Sequence, residues 1–196
     1  MPTPKEIIAG LDEAGRGSWA GPVVAAAVIL PKGTRLPGLT DSKLLTQEKR
    51  ESLFKKIIKS CDYGIGVALH EEVDQFGLIH ATFRAFQRAL EKLKTQPDHL
   101  LVDGRDRLKF EIPHTSIIRG DLTERVISAA SVLAKVERDR LMLEFHRKYP
   151  QYEFAQHKGY GTERHQQLLR EHGPSPIHRL SYAPLQRLKW VQNAFL

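Results

Sequence analysis

Ile7-Ile-Ala-Gly-Leu-Asp-Glu-Ala-Gly-Arg-Gly-Ser-Trp-Ala-Gly-Pro-Val-Val-Ala-Ala-Ala-Val-Ile-Leu30 is the stretch on which the reading of this chain turns. An apolar run, Ile7 to Leu11, halts at two adjacent acids, Asp12 and Glu13. Gly15, Gly17 and Gly21 follow, with Arg16 between the first two, and behind Pro22 a second apolar run extends from Val23 to Leu30. Short apolar runs bounded by Gly and Pro are the pattern of buried strands. The stretch therefore predicts strand, glycine-bent loop, strand, with a carboxylate pair at the end of the first strand. Ionised groups at the end of a buried strand are costly unless a positive charge meets them. A divalent metal is one such charge; an ordinary acidic turn is the plainer alternative.

Outward from this stretch, composition narrows the class. With 196 residues, 41% hydrophobic and 27% charged, the chain is long enough for one good core and a small appendage. The longest apolar run is far shorter than the roughly 20 residues a bilayer span needs, so no membrane partner is expected. Met1-Pro-Thr-Pro-Lys5 lacks the apolar core of a signal peptide, and the single cysteine, Cys61, rules out an intrachain disulfide and cysteine-pair zinc sites. The expectation is a cytoplasmic protein. Its net charge of +7 suits a polyanionic partner.

Further along, residues 46–59 predict a helix burying Leu53, Phe54, Ile57 and Ile58. Cys61, Tyr63, Ile65, Val67 and Leu69 alternate with polar or small residues, which predicts a half-buried strand. The spacing of Ile79, Phe83, Phe86, Leu90 and Leu93 predicts an amphipathic helix over 78–94. Residues 99–102 form a short strand ending at Asp103-Gly104, 105–113 a polar loop, 115–118 a last strand, and 123–149 a long helix. Asp121, with Glu124 three positions on, has the pattern of a helix N-cap. From Pro150 onward, prolines, histidines and short apolar clusters predict a small helical C-terminal appendage; His157, His165, His172 and His178 fit no tight metal spacing.

These elements predict an α/β fold, a mixed sheet flanked by helices. If the strand ending at Asp103 lies parallel beside the one ending at Asp12, their carboxylates emerge at one edge, and Asp121 closes the group. Four converging acids, Asp12, Glu13, Asp103 and Asp121, repel one another unless hard cations such as magnesium or manganese hold them. Two such ions would serve phosphodiester hydrolysis.

The run Gly10-Leu-Asp-Glu-Ala-Gly-Arg-Gly17 with Ala20-Gly-Pro-Val-Val-Ala-Ala-Ala-Val28 resembles the opening signature of the ribonuclease HII family. Asp41-Ser-Lys43, Val102-Asp-Gly104, Gly120-Asp121 and Ser128-Ala-Ala-Ser-Val-Leu-Ala-Lys-Val-Glu-Arg-Asp139 match its later blocks in order, as do His157-Lys-Gly-Tyr-Gly-Thr162 and His178-Arg-Leu-Ser-Tyr-Ala-Pro184. Trp19 departs from the pattern, standing where a smaller or aliphatic residue is expected, and the tail, residues 190–196, has no clear sliding-clamp motif. The resemblance implies a ribonuclease H-like catalytic domain over 1–149, with 150–196 contributing to substrate binding. It implies that Asp12, Glu13, Asp103 and Asp121 are the metal-binding catalytic acids, taking two Mg2+ or Mn2+ ions with substrate bound. It places Gly15, Arg16 and Gly17 on a loop reading the ribose 2′-hydroxyl, Tyr160 against the sugar at an RNA–DNA junction, and Lys43 on a phosphate. The implied activity is cleavage of RNA in RNA–DNA hybrids, and of duplex DNA 5′ to an embedded ribonucleotide, by a monomer that leaves 3′-hydroxyl and 5′-phosphate ends.

Three other readings stand beside it. Gly15-x-Gly17 with Gly21 nearly makes a dinucleotide-binding fingerprint, but its third glycine is one position late and the preceding acids would repel a pyrophosphate. A non-catalytic basic module that binds duplexes accounts for the charge and leaves the acids unexplained. Another two-metal nuclease of the same fold accounts for the acids and leaves the Gly-Arg-Gly loop unexplained.

Overall fold

A computed structural model describes residues 6–106 and 108–187 of the chain. Five strands, β1 (Ile8–Ala14), β2 (Val23–Ile29), β3 (Asp62–Ala68), β4 (His99–Asp103) and β5 (His114–Ile117), form one sheet in the order β3-β2-β1-β4-β5. The first three strands pair antiparallel, while β4 lies parallel to both β1 and β5. The sheet is thus mixed, as expected.

Helices cover both faces. α1 (Gln47–Ser60) and α5 (Arg125–Lys148) lie on one side, and α2 (His70–Phe76) and α3 (Leu78–Leu90) on the other. Ala9, Leu11, Leu100 and Val102 point towards α3, where Ala81, Ala85, Phe86 and Ala89 meet them. Ala26 and Val28 point the opposite way, towards Leu53, Phe54 and Ile57 of α1 and the small-residue run Ala129 to Ala134 of α5. Alternation along the strands, with period two, sorts the residues into these two layers.

β1 carries the acid pair at its end, as expected: it runs through Asp12 and Glu13, which pair with Ala26 and Ala25, small residues that leave the acids room. Other local expectations are corrected in part. In β3, Tyr63, Ile65 and Val67 are half-buried as expected, the first two packing on the α1 layer. Its other face is covered and not solvated: Gly64 and Gly66 face α3 so closely that a Cβ on either would lie about 2 Å from a backbone carbonyl of that helix. The same contact widens the buried face of α3. Phe86 is buried and Phe83, Leu90 and Leu93 pack beside it as expected, but Ala81, Ala85 and Ala89 join them because only small residues allow that approach, and Ile79 is 55% exposed. Ile58 of α1 is likewise exposed on the surface side.

The helix expected from 123 is broken at its start. A single turn, α4 (Gly120–Thr123), precedes Glu124, whose extended backbone separates it from α5. Asp121 lies inside that turn, so the N-cap pairing with Glu124 does not form. The glycine-bent loop after β1 feeds a strand, β2, where a dinucleotide fingerprint needs a helix N-terminus for the phosphates.

Beyond Pro150 come short helices α6 (Phe154–His157), α7 (Glu163–His172) and α8 (Ala183–Arg187). Thr162 caps α7, its hydroxyl accepting from the His165 amide. The segment packs on the end of α5 through Tyr152, Phe154, Leu169, Ile177 and Leu185, together with Met142 and Ala20. The backbone also ties the two together, since Ala20 bridges His178 and the Trp19 amide donates to the Gly159 carbonyl. Residues 190–196, the tail without a clear clamp motif, lie outside the described residues. Among the described residues no helix is long and apolar enough to cross a membrane.

Candidate active site

The sheet brings three of the four acids together by register. β1 and β4 are parallel with Leu11 opposite Val102, so the next residues along, Asp12 and Asp103, leave the sheet side by side on the α5 face. Asp121 arrives from the first turn after β5, and its amide donates to Asp103 Oδ1 at 3.3 Å. One carboxylate oxygen from each of Asp12, Asp103 and Asp121 lies within 4.8 Å of the others. Glu13 is outside this triad. As the neighbour of Asp12 in a strand it is turned to the other face, where it takes Arg16 Nη1 at 3.2 Å; Arg16 in turn bonds Asp106 at 2.5 Å.

Electrostatically the cluster is strained. Burial pushes the Asp12 carboxyl well up, and the charges of Glu13 and Asp103 push it further, against the opposing effect of the Ser131 hydroxyl and the Glu13 amide. Burial also lifts Glu13 to about 7 in spite of Arg16. Asp121 is raised by burial, Asp103 and Asp41, partly offset by Lys43, whose Nζ stands 3.5 Å from its Oδ2. Three crowded carboxylates that a single exposed lysine only partly neutralises, with no nitrogen or sulfur ligand in the group, fit a hard divalent cation.

The cleft at this edge is lined by Asp12, Glu13, Ala14, Gly15, Arg16, Gly17, Ser42, Lys43, Ser131, Lys135 and Tyr160. Asp12 and Glu13, the Gly15–Gly17 loop, Lys43 and Tyr160 thus share one depression, which the triad enters through Asp12. Gly15 has φ +95°, and a Cβ there would meet the Arg138 side chain at 2.0 Å, so that position takes only glycine. Gly17 has open space where a side chain would be. Lys43 follows Asp41, whose carboxylate accepts from the Lys43 amide. Ser42, between them, bonds Ser131 of α5 at 2.9 Å.

Tyr160 is held from behind by histidines whose spacing fits no tight metal pattern. His157, His165 and His178 form a buried group: the first two rings stack at 4.2 Å, and His165 Nε2 lies 2.9 Å from His178 Nε2. His165 Nδ1 lies 3.0 Å from the Tyr160 carbonyl. Burial drives His165 to about 4 and His178 to about 3, so the group is neutral. Trp19 packs against the same segment, because a Cβ on Gly161 would sit 2.2 Å from its ring. Arg138 and Arg179 were also missed. The signal available was a pair of arginines inside otherwise small or apolar blocks, and it does not distinguish a buried guanidinium from an exposed one.

The family model described as Ribonuclease HII matches residues 9–185. The chain is 49% identical over 180 residues to the Ribonuclease HII of Endomicrobium trichonymphae, covering 91% of this chain and 86% of that one. The ribonuclease H2 crystal structure from Pyrococcus horikoshii aligns at 30% identity with TM-score 0.77, over 91% of this chain and 95% of that one. The ribonuclease HII solved in complex with PCNA from Archaeoglobus fulgidus aligns at 26% identity with TM-score 0.76, over 96% and 98% of the two chains.

Proposed function

The chain belongs to the ribonuclease HII family and is an endoribonuclease acting on RNA–DNA duplexes; from that premise we propose a divalent-metal-dependent mechanism centred on Asp12, Asp103 and Asp121. The observation carrying the proposal is the triad itself, three acids from separate segments with oxygens within 4.8 Å of one another. Asp12, Asp103 and Asp121 would hold Mg2+ or Mn2+, with Glu13 the adjacent fourth acid of the set. A bound ion supplies a more acidic water and charge neutralisation at the scissile phosphate.

The chain's own residues supply the rest. The Arg16 and Gly17 amides donate to no protein acceptor among the described residues, which leaves them able to bond a ribose 2′-hydroxyl, the group that separates RNA from DNA. The open space at Gly17 supports a close approach of sugar to backbone. Tyr160 packs its ring on the sugar at an RNA–DNA junction. Lys43, freed from Asp121 once that carboxylate is engaged, neutralises a phosphate. In this reading residues 1–149 form the catalytic domain and 150–196 add substrate contacts, the protein acts as a monomer, and cutting is 5′ to a ribonucleotide, leaving 3′-hydroxyl and 5′-phosphate ends.

The test is incubation with duplex DNA carrying one ribonucleotide, in chelator, magnesium or manganese, followed by mapping of the ends. Cleavage that requires metal and yields a 5′-phosphate is expected. A 2′,3′-cyclic phosphate would mean attack by the 2′-hydroxyl and would overturn the mechanism.

A further inference from the structure

Arg138 and Arg179 are completely buried, and neither forms an ion pair among the described residues. A buried guanidinium without a carboxylate is costly. Its five N–H donors can offset that cost only through fixed acceptors. Here those acceptors are backbone carbonyls of one loop. Arg179 Nε and Nη2 both donate to the Gly21 carbonyl, at 3.0 and 2.8 Å, and Nη1 donates to the Arg16 carbonyl at 2.9 Å. The Tyr182 hydroxyl donates to the same Arg16 carbonyl at 2.7 Å and lies 2.9 Å from Arg179 Nη1. Arg138 takes the remainder of the loop, donating to Pro22 O, Ala20 O and Ser18 Oγ, and also to Lys158 O, two residues before Tyr160.

The two side chains thus come from α5 and from the C-terminal segment, and they close on the loop from both. Arg179 spans its ends, Arg16 and Gly21, with a planar fork that lysine cannot reproduce. The Arg16 carbonyl is occupied by two donors, while the amides of Arg16 and Gly17 have no protein acceptor among the described residues. We infer that Arg179, with Tyr182, is a positioning residue for ribose discrimination: it fixes the Arg16–Gly21 loop so that those amides stand where a 2′-hydroxyl arrives. The inference rests on the reading of this loop as the ribose reader.

The experiment compares wild type with Arg179→Lys and Tyr182→Phe. Hydrogen exchange is followed on peptides covering residues 15–22. In magnesium, kcat and KM are measured on duplex DNA with one ribonucleotide, and Ki for the same duplex without it. In Arg179→Lys the loop amides should exchange at least about tenfold faster, with other core peptides unchanged. KM should rise and the ratio of Ki to KM fall about tenfold, while kcat changes less than threefold. Tyr182→Phe should shift the same readouts about threefold, and it decides the matter if Arg179→Lys does not fold. Folded variants with wild-type loop exchange and an unchanged ratio would overturn the inference. So would faster exchange spread evenly over the chain, which is the mark of a merely structural role. Failure of the ribose reading looks different: wild type itself would bind both duplexes equally, and loop exchange alone would then decide whether Arg179 positions the loop.

Discussion

Asp121 is the residue where charge and helix chemistry separate most cleanly. It caps nothing, so Asp121→Asn removes a charge without removing a cap. It also relieves repulsion from Asp103 and Asp41. In chelator the variant should be as stable as wild type or more so, since the like charges that raise this carboxyl no longer oppose it. Cleavage should fall by more than the roughly 100-fold typical of losing a supporting residue around a metal. Thermal melting in chelator and cleavage in magnesium check both; a marked loss of stability without metal would contradict the electrostatic account. Tyr160 gives the second test. Its ring lies 5.3 Å from the Arg138 guanidinium and is 37% exposed, so little packing is lost with it. Tyr160→Phe keeps the flat face and should stay within a few-fold of wild type on a single embedded ribonucleotide. Tyr160→Ala should lose about 1–3 kcal/mol of transition-state binding, the range for aromatic stacking on nucleic acid. Equal rates for Ala and wild type would make the ring structural only.

Among the elements, the two helix layers make different demands on the sheet. Gly10 of β1 backs onto the start of α5, and a Cβ there would lie 2.4 Å from the Val126 backbone. Gly64 of β3 backs onto α3, with a Cβ 1.9 Å from the Ala89 carbonyl. Alanine at either should cost at least the roughly 1–3 kcal/mol of overpacking. Only Gly10→Ala pushes α5, and with it Ser131, away from Asp12. Calorimetric titration with manganese should therefore show weakened binding in Gly10→Ala and near-normal binding in Gly64→Ala. If both lose affinity equally, the layers are not independent. The same contacts explain which elements were legible in sequence. β1 and β2 follow their hydrophobic pattern closely, and so does α1 apart from Ile58. The buried face of α3 was legible in Phe83, Phe86, Leu90 and Leu93 but not in Ala81, Ala85 and Ala89, which are selected by how near the glycine face of β3 lies, and no single-segment pattern carries that distance.

For the molecule as a whole, two buried groups titrate in opposite senses. Asp12, Glu13 and Asp121 are raised in the folded state, Glu13 to about 7. A raised carboxylate contributes stability below its unfolded value, and that contribution is lost as pH climbs to the folded value. His157, His165 and His178 are lowered, the last two to about 4 and about 3. They contribute above their usual 6.5, and the contribution is lost as pH falls towards those values. In chelator the melting temperature should therefore peak in the overlap, at about pH 4.5–6.5, and decline on both sides. Saturating magnesium binds the ionised acids and should remove the alkaline decline while leaving the acid one. A melting profile that metal does not alter above pH 7 would contradict the metal reading of the triad.

The sequence by itself determined the strand–loop–strand opening, the mixed sheet, the acids and the family, because each rests on local periodicity or on contiguous blocks of residues. Tertiary structure decided which acids meet. Adjacent residues in a strand face opposite ways, so Asp12 joins Asp103 and Asp121 while Glu13 turns to Arg16. It also decided that Arg138, Arg179 and three histidines are buried around the loop and Tyr160. Burial of a polar side chain depends on acceptors supplied by segments more than 100 residues away, as Pro22 and Gly21 are from these arginines. Such acceptors are backbone carbonyls, which every residue carries, and so they leave no mark on the sequence.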